Sequence, residues 1–240
     1  AGPFTVFAPT NAAFDQLFID LSVSGLDDLD AATLTPILLY HVVGANALST
    51  SLATGYINSL SDGPESTKVS IYVDITSGVV LNSSTNVTAA DLTADNGVVH
   101  VIDKVLLPPD VVVTAQNNPD FNILIDAAVH AGLAGTLMGT GPFTIFAPTD
   151  AAFTTFLNGL GVGSITDVAD TTVAAVLLNH VVSGNVESSE VTDGMVATLG
   201  TDSLNISTSS GVVINGDVNV VLTDVQATNG VIHVIDKVIQ

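Results

Sequence analysis

Asn96-Gly97-Val98-Val99-His100-Val101-Ile102-Asp103-Lys104-Val105 returns almost unchanged as Asn229-Gly230-Val231-Ile232-His233-Val234-Ile235-Asp236-Lys237-Val238, and the rest of the chain can be placed relative to these two copies. Asn-Gly is a strong short turn signal, since both residues tolerate positive φ, and here it opens a run of β-branched residues. The stretch therefore reads as a tight turn entering a strand. Side chains alternate across a strand, so Val98, His100 and Ile102 face one way while Val99, Val101 and Val105 face the other. Both sets are largely apolar, which predicts a strand covered on both sides.

A second long motif repeats as well. Gly2-Pro3-Phe4-Thr5-Val6-Phe7-Ala8-Pro9-Thr10-Asn11-Ala12-Ala13-Phe14 recurs as Gly141-Pro142-Phe143-Thr144-Ile145-Phe146-Ala147-Pro148-Thr149-Asp150-Ala151-Ala152-Phe153, an offset of 141 − 2 = 139 that His41 and His180 also keep. His100 and His233 stand 133 apart, so the second copy is shorter by 139 − 133 = 6 residues between its two histidines. Two tandem copies of one domain follow, over residues 1–109 and 110–240.

Within each copy the local signals are ordered. Residues 5–7 read as a short strand that Pro9 stops, after which Thr10 or Asn11 caps a helix from Ala12 with Phe14, Leu17 and Phe18 on its apolar stripe. Thr149 or Asp150, then Phe153, Phe156 and Leu157, repeat that pattern. The acidic Asp27-Asp28-Leu29-Asp30 leads into a second helix through Ile37, Leu38 and His41, matched by residues 170–180 with Leu177 and Val181 on the apolar face. Acids at a helix start and a histidine at its end both suit the helix dipole. Pro36 fits only a first turn, which places the start of the first copy's helix near Thr35. After Gly44 and Gly184, as helix stops, come short β-rich runs at 69–73, 79–81, 86–89 and 98–105, with counterparts at 204–207, 212–214, 218–223 and 231–238. Each domain is expected to be α+β, helices first and then a meandering antiparallel sheet.

Pro108-Pro109-Asp110 cannot continue a strand ladder and marks the boundary. The second copy then opens with a helix from Phe121 through Leu124, Ala128 and His130 to Leu137. Its equivalent in the first copy falls before Ala1, since 118 − 139 = −21. The expectation is a chain that starts inside a domain of a longer protein, with apolar core left uncovered for a partner segment.

Composition removes several function classes. The 240 residues include 47% apolar side chains, enough for two cores, and no cysteine, so disulfides, thiol chemistry and Cys-based metal sites are excluded. Against 24 acidic residues stand Lys68, Lys104 and Lys237, with no arginine, and the net charge is −21. Nucleic-acid binding and basic-patch adhesion to anionic membranes both need cations this chain lacks. Self-repulsion of that size favours solubility, opposes compaction and weakens with salt, which predicts saline or divalent-rich surroundings. No apolar run reaches the length of a membrane span, and residue 1 does not open a signal peptide.

The early Thr-(Val/Ile)-Phe-Ala-Pro-Thr-(Asn/Asp)-Ala-Ala-Phe, the late Asn-Gly-Val-(Val/Ile)-His-Val-Ile-Asp-Lys-Val, and a Tyr-His or Asn-His between them resemble the fasciclin-like (FAS1) domain family, twice over and across the whole chain. The resemblance implies two fasciclin-like domains, each a β-wedge of two small, mainly antiparallel sheets with packed helices. It further implies a non-enzymatic, extracellular or cell-surface adhesion or matrix module of a longer repeat protein. Partners would be surface or matrix proteins, polysaccharide or further copies of the chain. The family's partner-binding segment carries over to Tyr40 and His41, and to Asn179 and His180, where the tyrosine is replaced. A small-ligand or carbohydrate-binding protein using a groove between helices and sheet is the alternative.

The residues themselves assign no catalytic, cofactor or metal site. His41 and His180 sit among leucines, His100 and His233 among valines and isoleucines, the surroundings of buried, hydrogen-bonded histidines that burial keeps neutral. Asp103-Lys104 and Asp236-Lys237 are neighbours on a strand and face opposite sides, which suits a surface lysine and a turn aspartate rather than a proton-sharing pair. There is no Gly-x-Ser-x-Gly elbow. Asp27, Asp28, Asp30, Asp217 and Asp224 supply hard oxygens without EF-hand spacing, so a solvated acidic surface is expected, with weak calcium binding left open. Asn82, Asn86 and Asn205 begin glycosylation acceptor triplets.

Overall fold

The computed structural model describes residues 2–240, and the chain divides at Pro109 into two units. The first contains β1 (Phe4–Pro9), α1 (Asn11–Leu21), α2 (Ala31–Tyr40), β2 (Val42–Val43), β3 (Gly55–Asp62), β4 (Lys68–Asp74), β5 (Val80–Leu81), β6 (Thr85–Ala94) and β7 (Gly97–Ile102). The second adds α3 (Val111–Gln116), α4 (Asn122–His130) and α5 (Ala134–Leu137) ahead of β8 (Phe143–Pro148), α6 (Asp150–Leu160), α7 (Asp170–Leu178), β9 (Val181–Ser183), β10 (Gly194–Ala197), β11 (Ser203–Ser207), β12 (Val213–Ile214), β13 (Val218–Ala227) and β14 (Gly230–Ile235). The α+β expectation holds in both units.

The quoted stretch does not join a pure meander. β7 pairs in parallel with β1, from Phe4 opposite Gly97 to Pro9 opposite Ile102, and β14 pairs likewise with β8, while the other strand pairs are antiparallel. That parallel start requires glycine. A Cβ on Gly97 would lie 1.9 Å from Phe4 O, and one on Gly230 2.1 Å from Phe143 O, at φ +157 and +158. The strand stops at Ile102 rather than Val105, because Asp103 turns to accept from Asn86 N at 2.8 Å and Asn86 Nδ2 at 2.7 Å. Asp236 and Asn219 repeat this.

Each unit has two small sheets joined through a long strand. β6 and β13 carry register shifts in mid-strand, and there Asp91 and Asp224 adopt left-handed conformations, φ 61 and 63. The six-residue difference falls in one hairpin. β3 and β10 start 194 − 55 = 139 apart, while β4 and β11 end 207 − 74 = 133 apart. In the first unit the longer β3 reaches β2, Ser59 opposite Val43, and the strands close into a barrel in the order β1-β2-β3-β4-β5-β6-β7. In the second unit β10 ends at Ala197 and the sheet stays open, β10-β11-β12-β13-β14-β8-β9, with Leu199 N bonded to Val181 O instead.

Three helix boundaries differ from expectation, the first being the stops: α2 ends at Tyr40 and α7 at Leu178, and β2 and β9 intervene before Gly44 and Gly184. Thr10 and Thr149 cap α1 and α6 as expected, through Ala13 N and Ala152 N. α2, however, starts at Ala31 under an Asp30 cap, so Pro36 lies inside it and deprives Ala32 O of its helical donor. The opening helix of the second unit is broken: Gly132, at φ +68, ends α4 before α5 begins. β3 and β10 were not foreseen, because Gly55–Asp62 and Gly194–Ala197 lack a β-branched run.

The sheet cores are built from Phe7, Tyr40, Val69, Ile71, Val73, Leu81 and Ile102 in the first unit, and from Phe146, Leu204, Ile206, Ile214 and Ile235 in the second. Among the described residues no single helix is long and apolar enough to cross a membrane.

Candidate functional site

The four residues expected at a partner-binding segment are all buried. Tyr40 is 0% exposed, His41 3%, Asn179 8% and His180 1%. The Tyr40 hydroxyl donates to Ser70 O at 2.8 Å and accepts from Asn82 Nδ2 at 3.0 Å, and burial raises its pKa. Asn179 stands at the same position in the second unit and donates to Asp202 Oδ2 at 2.7 Å. Asp202 in turn replaces Val69, since 202 − 133 = 69. One copy therefore packs a phenol on a valine where the other places a hydrogen-bonded polar pair.

The histidines do not meet as catalytic pairs. His41 Nδ1 donates to Ile37 O at 2.7 Å and Nε2 accepts from Leu106 N at 2.9 Å, and His180 does the same with Val176 O and Ile239 N. Each ties a helix end to the segment after the last strand. Burial pushes the pKa of His41 down and that of His180 down to about 4, in both cases against a smaller rise from the carbonyl. The carbonyl at Nδ1 and the backbone N–H donating to Nε2 together require the neutral Nδ1–H tautomer.

His100 and His233 hold different segments. His100 Nε2 donates to Ala47 O at 2.8 Å and Nδ1 accepts from Asp91 N at 3.2 Å; His233 pairs with Val186 O and Asp224 N at 2.9 and 3.3 Å. Burial also lowers the pKa of His233. Around these rings the segments 44–51 and 183–190 are clamped by two more residues in each unit. Thr5 Oγ1 donates to Ala45 O and accepts from Ala47 N, and Thr144 does so with Gly184 O and Val186 N. Asp91 accepts from Ser49 N at 2.8 Å and Ser49 Oγ at 2.5 Å, and Asp224 accepts from the same two groups of Ser188. The Ser49 bonds hold the pKa of Asp91 down; at Asp224 burial pushes it up, and the Ser188 bonds outweigh that. A left-handed aspartate in a strand is strained, and the strain is tolerated twice at the same place.

Sequence reasoning missed this clamp. Its residues do carry a signal: Thr5 and Thr144, and Ser49 and Ser188, keep the offset of 139, while Asp91 and Asp224 keep 133. The segments they hold differ in side chains but are gripped through backbone atoms, so side-chain identity was the wrong thing to compare.

The units differ on their helical side. In the second, Asn229 accepts from Val111 N and donates to Leu137 O and Gly139 O, seating the helices α3 to α5 on the sheet. His130 bonds Val168 O at 2.9 Å, and Asp150 accepts from Ile123 N at 2.8 Å. Among the described residues of the first unit no counterpart to these helices is formed, and Leu26, Leu38 and Leu92 are 51, 52 and 50% exposed where Ile165, Leu177 and Val225 are 4, 4 and 2%. Asn96 is exposed. The expectation of a strand covered on both sides is thus met by β14, buried throughout, whereas β7 alternates buried and half-buried residues.

Among the described residues no three His, Asp or Glu side chains converge as a metal-holding group. Four of the five candidate calcium ligands have local partners: Asp28 accepts from Ser24 N, Asp30 caps α2, Asp217 pairs with Lys237 at 3.2 Å, and Asp224 holds Ser188.

Comparison with known proteins places this geometry. The family model for the Fasciclin domain matches residues 1–108 and again 119–240. Protein sll1483 of Synechocystis sp. is 36% identical over 129 residues, 54% of this chain and 72% of that protein. Transforming growth factor-beta-induced protein ig-h3 of Sus scrofa is 30% identical over 99% of this chain, and human periostin 29% over 99%. The chain spans 35% of the length of ig-h3 and 28% of periostin. A solved FAS1 domain pair from the insect cell adhesion molecule fasciclin I shares the fold, with a TM-score of 0.58 at 20% identity over 99% of this chain and 88% of that one.

Proposed function

The chain belongs to the fasciclin domain family, and from that premise we propose that it is a non-enzymatic adhesion or matrix module working outside the cell or on its surface. It acts through contacts with surface or matrix proteins, with polysaccharide or with further copies of itself. The observation that carries this reading is the clamp found in each unit, where Thr5, His100 and Asp91 hold the largely exposed segment 44–51, and Thr144, His233 and Asp224 hold the segment 183–190, exposed at Ser183, Ser189 and Glu190, in a fixed shape. Both ring nitrogens of the four repeated histidines are engaged by backbone groups, which makes them fasteners and leaves them no proton to exchange with a substrate. Tyr40, His41, Asn179 and His180 contribute to binding from beneath the surface, by fixing the helix ends from which the clamped segments leave.

The groove between helices and sheet is the weaker reading. In the second unit the space there is about 40 Å³ and lined by side chains such as Val111, Leu124, Ile145 and Leu177, against roughly 300 Å³ or more for a ligand pocket. The test is direct binding: the immobilised full chain is exposed to matrix laid down by cultured cells, to acidic and neutral polysaccharides, and to the soluble chain. Saturable binding to any of the three is expected. Its absence from all of them would end the adhesion reading.

A further inference from the structure

Between the two sheets of the second unit lies a cavity of about 140 Å³ whose walls include Phe146, Val182, Val196 and Ile206. Val182 belongs to β9 and Val196 to β10, the two end strands of the open sheet, which share no ladder pair and are linked only beyond β10 by the bond from Leu199 N to Val181 O. The corresponding strands of the first unit are joined by the Val43–Ser59 pair, so the cavity sits where the second unit departs from its repeat.

The polar side chains buried in its wall are already satisfied. Thr144 Oγ1 donates to Gly184 O and accepts from Val186 N, and His233 uses both ring nitrogens on Val186 O and Asp224 N. Such a wall offers water few partners, and displacing poorly held water with an apolar group favours binding. Glu190 and Thr192, both exposed, stand at its rim, and a carboxylate there disfavours an anion at the entrance. We propose that the second unit binds a small, uncharged, apolar molecule about the size of a benzene ring in this cavity. The wall includes the clamp residues Thr144 and His233 and, from the clamped segment, Val186 and Glu190, but benzene binding is read separately from attachment, so its failure and that of the adhesion reading are distinguishable.

The test uses the full chain with labelled methyl groups, titrated with benzene, and with benzoate as the charged control. Expected are saturable shifts at the methyls of Val182, Val196 and Ile206, nuclear Overhauser contacts from the ring protons to those methyls, and no response to benzoate. Val191 also lines the cavity, and the first unit carries Leu52 at that position and Ile57 at the position of Val196 (52 + 139 = 191, 57 + 139 = 196). The variant Val191→Leu with Val196→Ile therefore fills the space with residues this fold already holds, and should weaken benzene binding by about tenfold or more. Shifts that do not saturate, that scatter over both units, that benzoate reproduces, or that survive the double substitution unchanged would overturn the proposal. The Overhauser contacts are read on the unaltered chain, so the question is decided even where the variant does not fold.

Discussion

At the scale of single residues, a neutral imidazole is worth more here than a charged one. His180 has an ordinary pKa of 6.5 when unfolded and about 4 when folded, because burial penalises the cation more than Val176 O favours it. Between those values the unfolded chain holds the extra proton, so stability must fall as the pH drops from about 6.5 to about 4, and this contribution is flat on either side. His41 and His233 shift the same way and add to the slope. Urea melts across this range should show it, and His180→Gln should flatten it while costing about 1–3 kcal/mol at neutral pH through the Val176 and Ile239 bonds. A pH profile unchanged by the substitution would contradict the assignment. The structural character of these histidines was legible from their leucine and valine neighbours. Their partners were not, since Leu106 N and Ala47 O are backbone atoms 65 and 53 residues away and no side-chain pattern announces them.

At the scale of elements, the parallel strand pair is the most demanding feature. Gly230→Ala would drive a methyl against Phe143 O at a positive φ, and a loss of about 2 kcal/mol or more is expected in thermal unfolding. The different burial of β7 and β14 makes a second comparison. Ile232 is 1% exposed beneath the opening helices and Val99 is only half-buried, so Ile232→Ala should cost about 2–5 kcal/mol and Val99→Ala about 1 or less. Equal costs would mean that the face is covered in solution. Pro36→Ala should stabilise the first unit by up to about 3 kcal/mol, since Ala175 occupies that position in the second (36 + 139 = 175) and restores the bond to the helix carbonyl. The helices, their threonine caps and most strands could be read from periodicity and turn residues. The start of α2 could not, because the Asp30 cap outweighs a proline that the rule confines to a first turn, and the parallel pairing depends on contacts some 90 residues apart.

At the scale of the whole molecule, charge and repetition set the behaviour. A net charge of −21 opposes both compaction and contact between copies, and the Debye length falls from about 10 Å at 0.1 M salt to about 3 Å at 1 M. The melting temperature should therefore rise with sodium chloride over that range, and a flat or falling dependence would remove the reason to expect a saline setting. The repeat itself, its offset and the six-residue difference were plain in the sequence, yet that the difference lies in one hairpin, closing one sheet and leaving the other open, needed the strand pairing. The central claim is that clamped surface segments carry adhesion. Beads coated with the full chain, and with the variant carrying Asp91→Ala and Asp224→Ala, would be compared for attachment to chain-coated and matrix-coated surfaces, after confirming that both have the same far-ultraviolet spectrum. The account predicts that the unaltered chain attaches and the variant loses attachment while staying folded; equal attachment by the two would contradict it.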